Sequence, residues 1–176
     1  MANAIYASIW FFILWKWGDW KNWQKYYPTI LFFILGDFIY LYLLSDHYPM
    51  WRYNPSEGDR AHGLTNSHIS LSIILIKYPA TALIFLSKFP EHNFIKQSLY
   101  IAFWVFLYTV NELIDLYFNL IKYYNGWNLK WSIVFNFVMF TCLYIHFRKP
   151  FIAWIFSIVF ILFLWKTFDV PSNVFR

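Results

Sequence analysis

The chain has 176 residues and a formal net charge of +5, and is 60% hydrophobic, 26% aromatic and only 13% charged. Soluble domains are about 45–50% apolar and about 25% charged, so a soluble globular protein is excluded; intrinsic disorder, which needs low hydrophobicity and high charge, is excluded as well. A polytopic membrane protein remains.

Crossing about 30 Å of hydrocarbon takes roughly 20 predominantly apolar residues in a helix. Six segments fit or come close: 2–15, 28–45, 67–89, 95–122, 128–147 and 151–168. The first is short. No basic stretch precedes it and no small-residue cleavage site follows, so it reads as a retained anchor and not as a signal peptide. Between it and the second span, Trp17, Trp20, Trp23 and Tyr27 recur at helical steps beside Lys16, Lys21 and Lys25, a pattern suited to the membrane–water interface. Pro28 is placed to open the second helix.

The only long loop, 46–65, follows. The third span contains Pro79, which removes a backbone donor and predicts a kink. Asn125-Gly126 and Lys149-Pro150 mark tight turns between the last three spans. The expected fold is an all-α membrane bundle in one domain, with six transmembrane helices or five plus an interfacial one. The basic residues form two nearly equal sets. Lys16, Lys21, Lys25, Lys88, Lys96, Arg148 and Lys149 fall on one side, and Arg52, Arg60, Lys122, Lys130, Lys166 and Arg176 on the other. This leans to both termini outside the cell membrane.

Charges at mid-bilayer cost about 2.5–3.5 kcal/mol each on insertion scales and usually face the bundle interior. Asp37, Lys77, Glu112 and Asn136 fall at similar depths in four spans. On the fourth span Tyr108, Glu112, Asp115, Asn119 and Lys122 form one polar stripe, with Asn111 on its edge. The candidate site is therefore an intramembrane polar cluster of Asp37, Lys77, Glu112, Asp115, Asn119 and Asn136. Three carboxylates, Asp37, Glu112 and Asp115, meet a single lysine, so at least one must be protonated, hydrated or bound to a cation, as in a proton or cation carrier. An alternative is that the cluster only fastens helices in a structural or partner-binding subunit, with Lys77 paired to Asp37 or Glu112 and Asn136 bridging. A third is a membrane hydrolase using Asp46, His47, Glu57, Asp59, His62 and His68 of the long loop and its margins, although their spacing matches no metal motif. His92 and His146 lie on the opposite side. The last span, uncharged from Ala153 to Leu164, is expected to face lipid.

No cofactor is expected. Cys142 stands alone, no Cys/His spacing fits zinc or haem, and no nucleotide or nucleic-acid module appears. The expected partner is the lipid bilayer, with a membrane protein or a second copy left open.

The stretches WKNWQKYYPTILFFILGD (20–37), NSHISLS (66–72), YPATALIF (78–85), YNGWNLKWSIVFNFVMF (124–140) and KPFIAWIFSIVFILFLWKTFDVP (149–171) resemble a family of small, uncharacterised multi-pass membrane proteins of spore-forming Firmicutes. The resemblance implies a bacterial cell-membrane location and a helical bundle, and supplies no substrate. It includes Asp37, His68, Pro79 and Asn136; Lys77 lies just outside it.

Overall fold

The computed structural model describes residues 2–174, with side chains from residue 5 onward; Arg176, used in the charge count, lies outside them. The helices are α1 (Ala2–Trp17), α2 (Trp23–Leu43), α3 (Glu57–Ala61), α4 (Asn66–Ser72), α5 (Tyr78–Ser87), α6 (Phe94–Tyr117), α7 (Leu129–Arg148) and α8 (Pro150–Thr167). Five stretches are long and apolar enough to cross a bilayer: Trp20–Leu43, Asn66–Ser87, Phe94–Tyr117, Leu129–Arg148 and Pro150–Thr167. They agree with a multi-pass membrane protein, and α1 adds a shorter apolar helix.

Several boundaries differ from the sequence expectation. The aromatic stretch after α1 folds into a 3-10 turn (Trp20–Asn22) and then joins α2, so Pro28 sits inside that helix instead of opening it. The backbone bond Pro28 forfeits would have gone to the carbonyl of Gln24, an exposed residue near the helix start. The fourth span ends at Tyr117, not near 122. Asn119 adopts a left-handed conformation (φ 54°), and the amides of Leu120 and Asn119 bond back to Asp115 and Leu116 at 2.7 and 3.1 Å, a Schellman ending. The chain then extends as β2 (Ile121–Tyr123), which pairs antiparallel with β1 (Trp51–Tyr53) from the long loop. Asn125 and Gly126, both at positive φ, make the turn into α7.

Asn66–Ser87 is one span with a wide turn in the middle. At Ile73–Lys77 it is a π-helix, and the amide of Tyr78 bonds to the carbonyl of Ile73, five residues back. This turn sits where an unbroken α-helix would drive the Pro79 ring against the Leu75 carbonyl. The expected proline kink is thus absorbed as one inserted residue. Beyond it α5 is central: Ala80 to Leu86 are all buried, against α1, α2 and α7. Rings of Phe85, Tyr100, Trp104 and Phe140 pack edge-to-face, tilted or stacked there, with centroids 5.0–6.4 Å apart. α8 packs chiefly on α7 and is otherwise exposed, with Ala153 turned fully inward and Ser157 facing Cys142 at 3.5 Å.

Candidate functional site: a polar cavity within the bundle

Lys77 ends the π turn and is 7% exposed. Among the described residues its ammonium does not pair with a carboxylate. Nζ donates to Asn111 Oδ1 at 2.9 Å, and that same oxygen accepts from the Tyr6 hydroxyl. The rings of Tyr108, Tyr6 and Trp10 lie 4.6, 5.4 and 5.6 Å from Nζ. A desolvated cation over an aromatic face gains about 2 kcal/mol or more, so three rings and one amide carbonyl offset the burial of this charge. Tyr108 is fixed in turn by a 2.6 Å bond with Thr81.

The carboxylates occupy a second, adjoining group. Glu112 Oε1 accepts from Ser132 at 2.6 Å and Tyr123 at 2.8 Å, and Trp127 donates to Ser132 at 2.8 Å. Lys77, Glu112, Asp115 and Asn136 line one cavity of about 80 Å³. A water molecule needs some 10–15 Å³ by such a measure, so the cavity has room for a few. Asp37 lies beside it and faces the Tyr78 hydroxyl and the Lys77 charge. The sixth sequence candidate, Asn119, is outside: it ends α6, and its backbone oxygen accepts from Asn54 at 2.8 Å. Neither bond of the fastening scheme is present, because Lys77 goes to Asn111 and Asn136 makes no side-chain hydrogen bond among the described residues.

Tyr53 lines the same cavity and was not legible as a site residue. It comes from β1, where alternation turns Trp51 and Tyr53 towards the bundle and Arg52 away. Tyr40 holds the strand there: its hydroxyl donates to the Trp51 carbonyl at 2.6 Å and accepts from the amides of Trp51 and Met50, while its ring stacks on Trp51 at 4.1 Å. Burial pushes the Tyr53 hydroxyl well above the ordinary tyrosine value, and the charges of Asp37, Asp115 and Glu112 push it further. Burial likewise raises Tyr123; Ser132 opposes the shift and Glu112 adds to it. A native value above the unfolded one stabilises fully below the unfolded value and is lost as pH rises past it. The detergent-solubilised protein should therefore lose stability above about pH 10, read as tyrosinate absorbance rising with unfolding. Tyr53→Phe should lessen that loss; an unchanged profile would contradict the assignment.

The loop candidates do not converge. Asp46 pairs with Arg52 at 2.7 Å, His62 bonds to the Gly58 carbonyl at 2.7 Å, His68 caps α4 through Thr65, and Asp59 accepts from Ser56. Among the described residues no group of three His, Cys, Asp or Glu could hold a metal ion. Because Asn136 lines the cavity without a bond, Asn136→Leu should fill space at little cost: we expect less than about 0.6 kcal/mol of destabilisation in detergent, below the average interhelical bond. A larger loss would show that Asn136 does fasten helices.

Compared with known proteins, the chain matches no family model, no curated protein and no solved structure.

Proposed function

We propose that this multi-pass protein of the bacterial cell membrane binds protons or cations in the intramembrane cavity as part of proton- or cation-linked transport. One observation carries the reading. The single intramembrane ammonium is held by Asn111 and three aromatic rings, while Glu112 and Asp115 line a cavity with room for water and, with Asp37, surround one protonated tyrosine. Carboxyl groups that lack a neutralising partner exchange protons or hold cations when water reaches them. In this reading α1 is a sixth crossing, both termini lie outside with the ribbon, and loading is from outside. The opposite half is closed by the aromatic packing around Phe85 and Phe140.

The test is proton and cation flux in proteoliposomes. Glu112→Gln and Asp115→Asn are expected to reduce flux at least about tenfold while the proteins stay folded. Equal flux in folded variants, or none in wild type, would refute the reading. A structural role is the second reading, favoured by the chain of bonds from Trp127 through Ser132 and Glu112 to Tyr123, which ties the ribbon to α6 and α7. In that case Glu112→Gln would change stability and no flux would exist.

A further inference from the structure

A second cavity lies on the side of the β1–β2 pair; it shares Asp37 and Tyr53 with the group of carboxylates described above, but what it binds does not depend on the ion reading. α2 lies against α5, but it parts from α4 towards the ribbon. The space between them is a cleft of about 770 Å³. Its walls change character with depth. Towards the bundle middle they are Phe38, Leu41, Leu71 and Ile74, with Asp37 among them, and Phe38 and Leu71 are nearly half exposed. At the rim they are Arg52, Arg60, Asn66 and Ser67.

The rim arginines are under-used. Arg60 spends Nε on the Pro55 carbonyl at 3.0 Å, and its two terminal nitrogens have no partner among the described residues. Arg52 gives one terminal nitrogen to Asp46 and keeps a buried Nε with no partner. Two guanidinium groups thus face one rim carboxylate, a charge of +1 at the rim, while Asp37 at the inner end balances it over the cleft as a whole. Guanidinium forks match phosphate oxygens geometrically as well as electrically.

We propose that this cleft seats an anionic phospholipid, its phosphate under Arg52 and Arg60 and an acyl chain entering sideways between α2 and α4. The apolar floor argues for a lipid over a free anion, because hydrated phosphate gains nothing from Phe38 and Leu71. The arginines that would meet the phosphate are on the rim, and the acyl chain would pass Phe38 and Leu71.

The experiment is native mass spectrometry of the full chain in neutral detergent, titrated with phosphatidylglycerol or phosphatidylcholine of identical chains, with folding checked by thermal unfolding. Both lipids offer the same phosphate, so wild type should retain phosphatidylglycerol about tenfold better than phosphatidylcholine because the arginine rim repels the choline cation, a like-charge effect on the order of 1 kcal/mol. Arg60→Gln should remove that preference, whereas Lys21→Gln, on the opposite face, should keep it. Leu71→Trp blocks the lateral entrance without touching either arginine and should also abolish retention. Equal retention of the two lipids, a preference that survives Arg60→Gln, or one lost equally with Lys21→Gln would overturn the proposal. Retention unaffected by Leu71→Trp, or displacement by millimolar inorganic phosphate alone, would overturn the lipid as occupant. The readout is lipid retention, so failure of ion flux leaves this result unchanged.

Discussion

Replacing Asn111 by leucine should destabilise the protein by about 3 kcal/mol, the upper end for a hydrogen bond to a charged group plus the penalty of an orphaned hydroxyl. Both Lys77 and Tyr6 donate to Asn111 Oδ1. Leucine would leave an ammonium inside the bundle with aromatic rings and, of its present side-chain acceptors, only the Tyr6 hydroxyl, which is the costly way to break a buried polar contact. Asn111→Asp restores an acceptor and adds a countercharge, so it should recover much of the loss. Cys142 is the only cysteine and is buried, so its labelling by a thiol-reactive dye during heating reports unfolding directly. Coupling is the sharper criterion. Asn111→Leu combined with Lys77→Met should cost clearly less than the two single changes added, because each alone strands the other; simple additivity would mean that the contact carries little energy.

The second large effect is expected at Phe140→Ala, with a loss of about 3–5 kcal/mol, the range for deleting a fully buried aromatic side chain. Phe140 is 0% exposed and lies within 5.0–5.7 Å, ring to ring, of Phe85, Tyr108 and Trp104. These neighbours belong to α5 and α6, so the void would fall where three helices meet and none could close it alone. Tyr108 also lines the polar cavity. On the ion reading the same substitution should raise leakage of protons in proteoliposomes, since it thins the aromatic packing between cavity and opposite face. A folded Phe140→Ala protein with wild-type unfolding temperature would contradict the packing argument.

The membrane class and the approximate spans were legible because long apolar runs dominate every local choice. The pairing of charges was not. Lys77 among three carboxylates invites an ion pair, and spacing along each helix shows which face a residue takes but not which neighbour it meets. Tyr6 and Trp10 were hidden in a helix that is apolar or aromatic nearly all round, so no stripe marks the side turned to Lys77. The helix end at Asn119 had a readable cue: an asparagine at the left-handed position followed by a short run alternating apolar and charged residues, Ile-Lys-Tyr, much as Trp-Arg-Tyr follows Pro49. The long polar stripe on the fourth span outweighed that cue, and it made Asn119 a candidate that the backbone uses instead to stop the helix.

The wide turn at Ile73–Lys77 has a consequence for how the chain tolerates change in length. One residue more than an α-helix requires is stored there, and each residue in a helix is worth about 100° of rotation and about 1.5 Å of rise. Deleting a single residue between Ile73 and Ile76 would barely alter hydrophobicity or span length. It would remove the stored residue, so the turn could close to ordinary α-helical bonding with Ile69 and Ser70 kept on their buried side, and the cost would fall on the Pro79 ring, which would then meet the carbonyl four residues before it. This helix can therefore lose one residue at the wide turn and keep its side-chain register, whereas a deletion elsewhere in the span would rotate everything before it by about 100°.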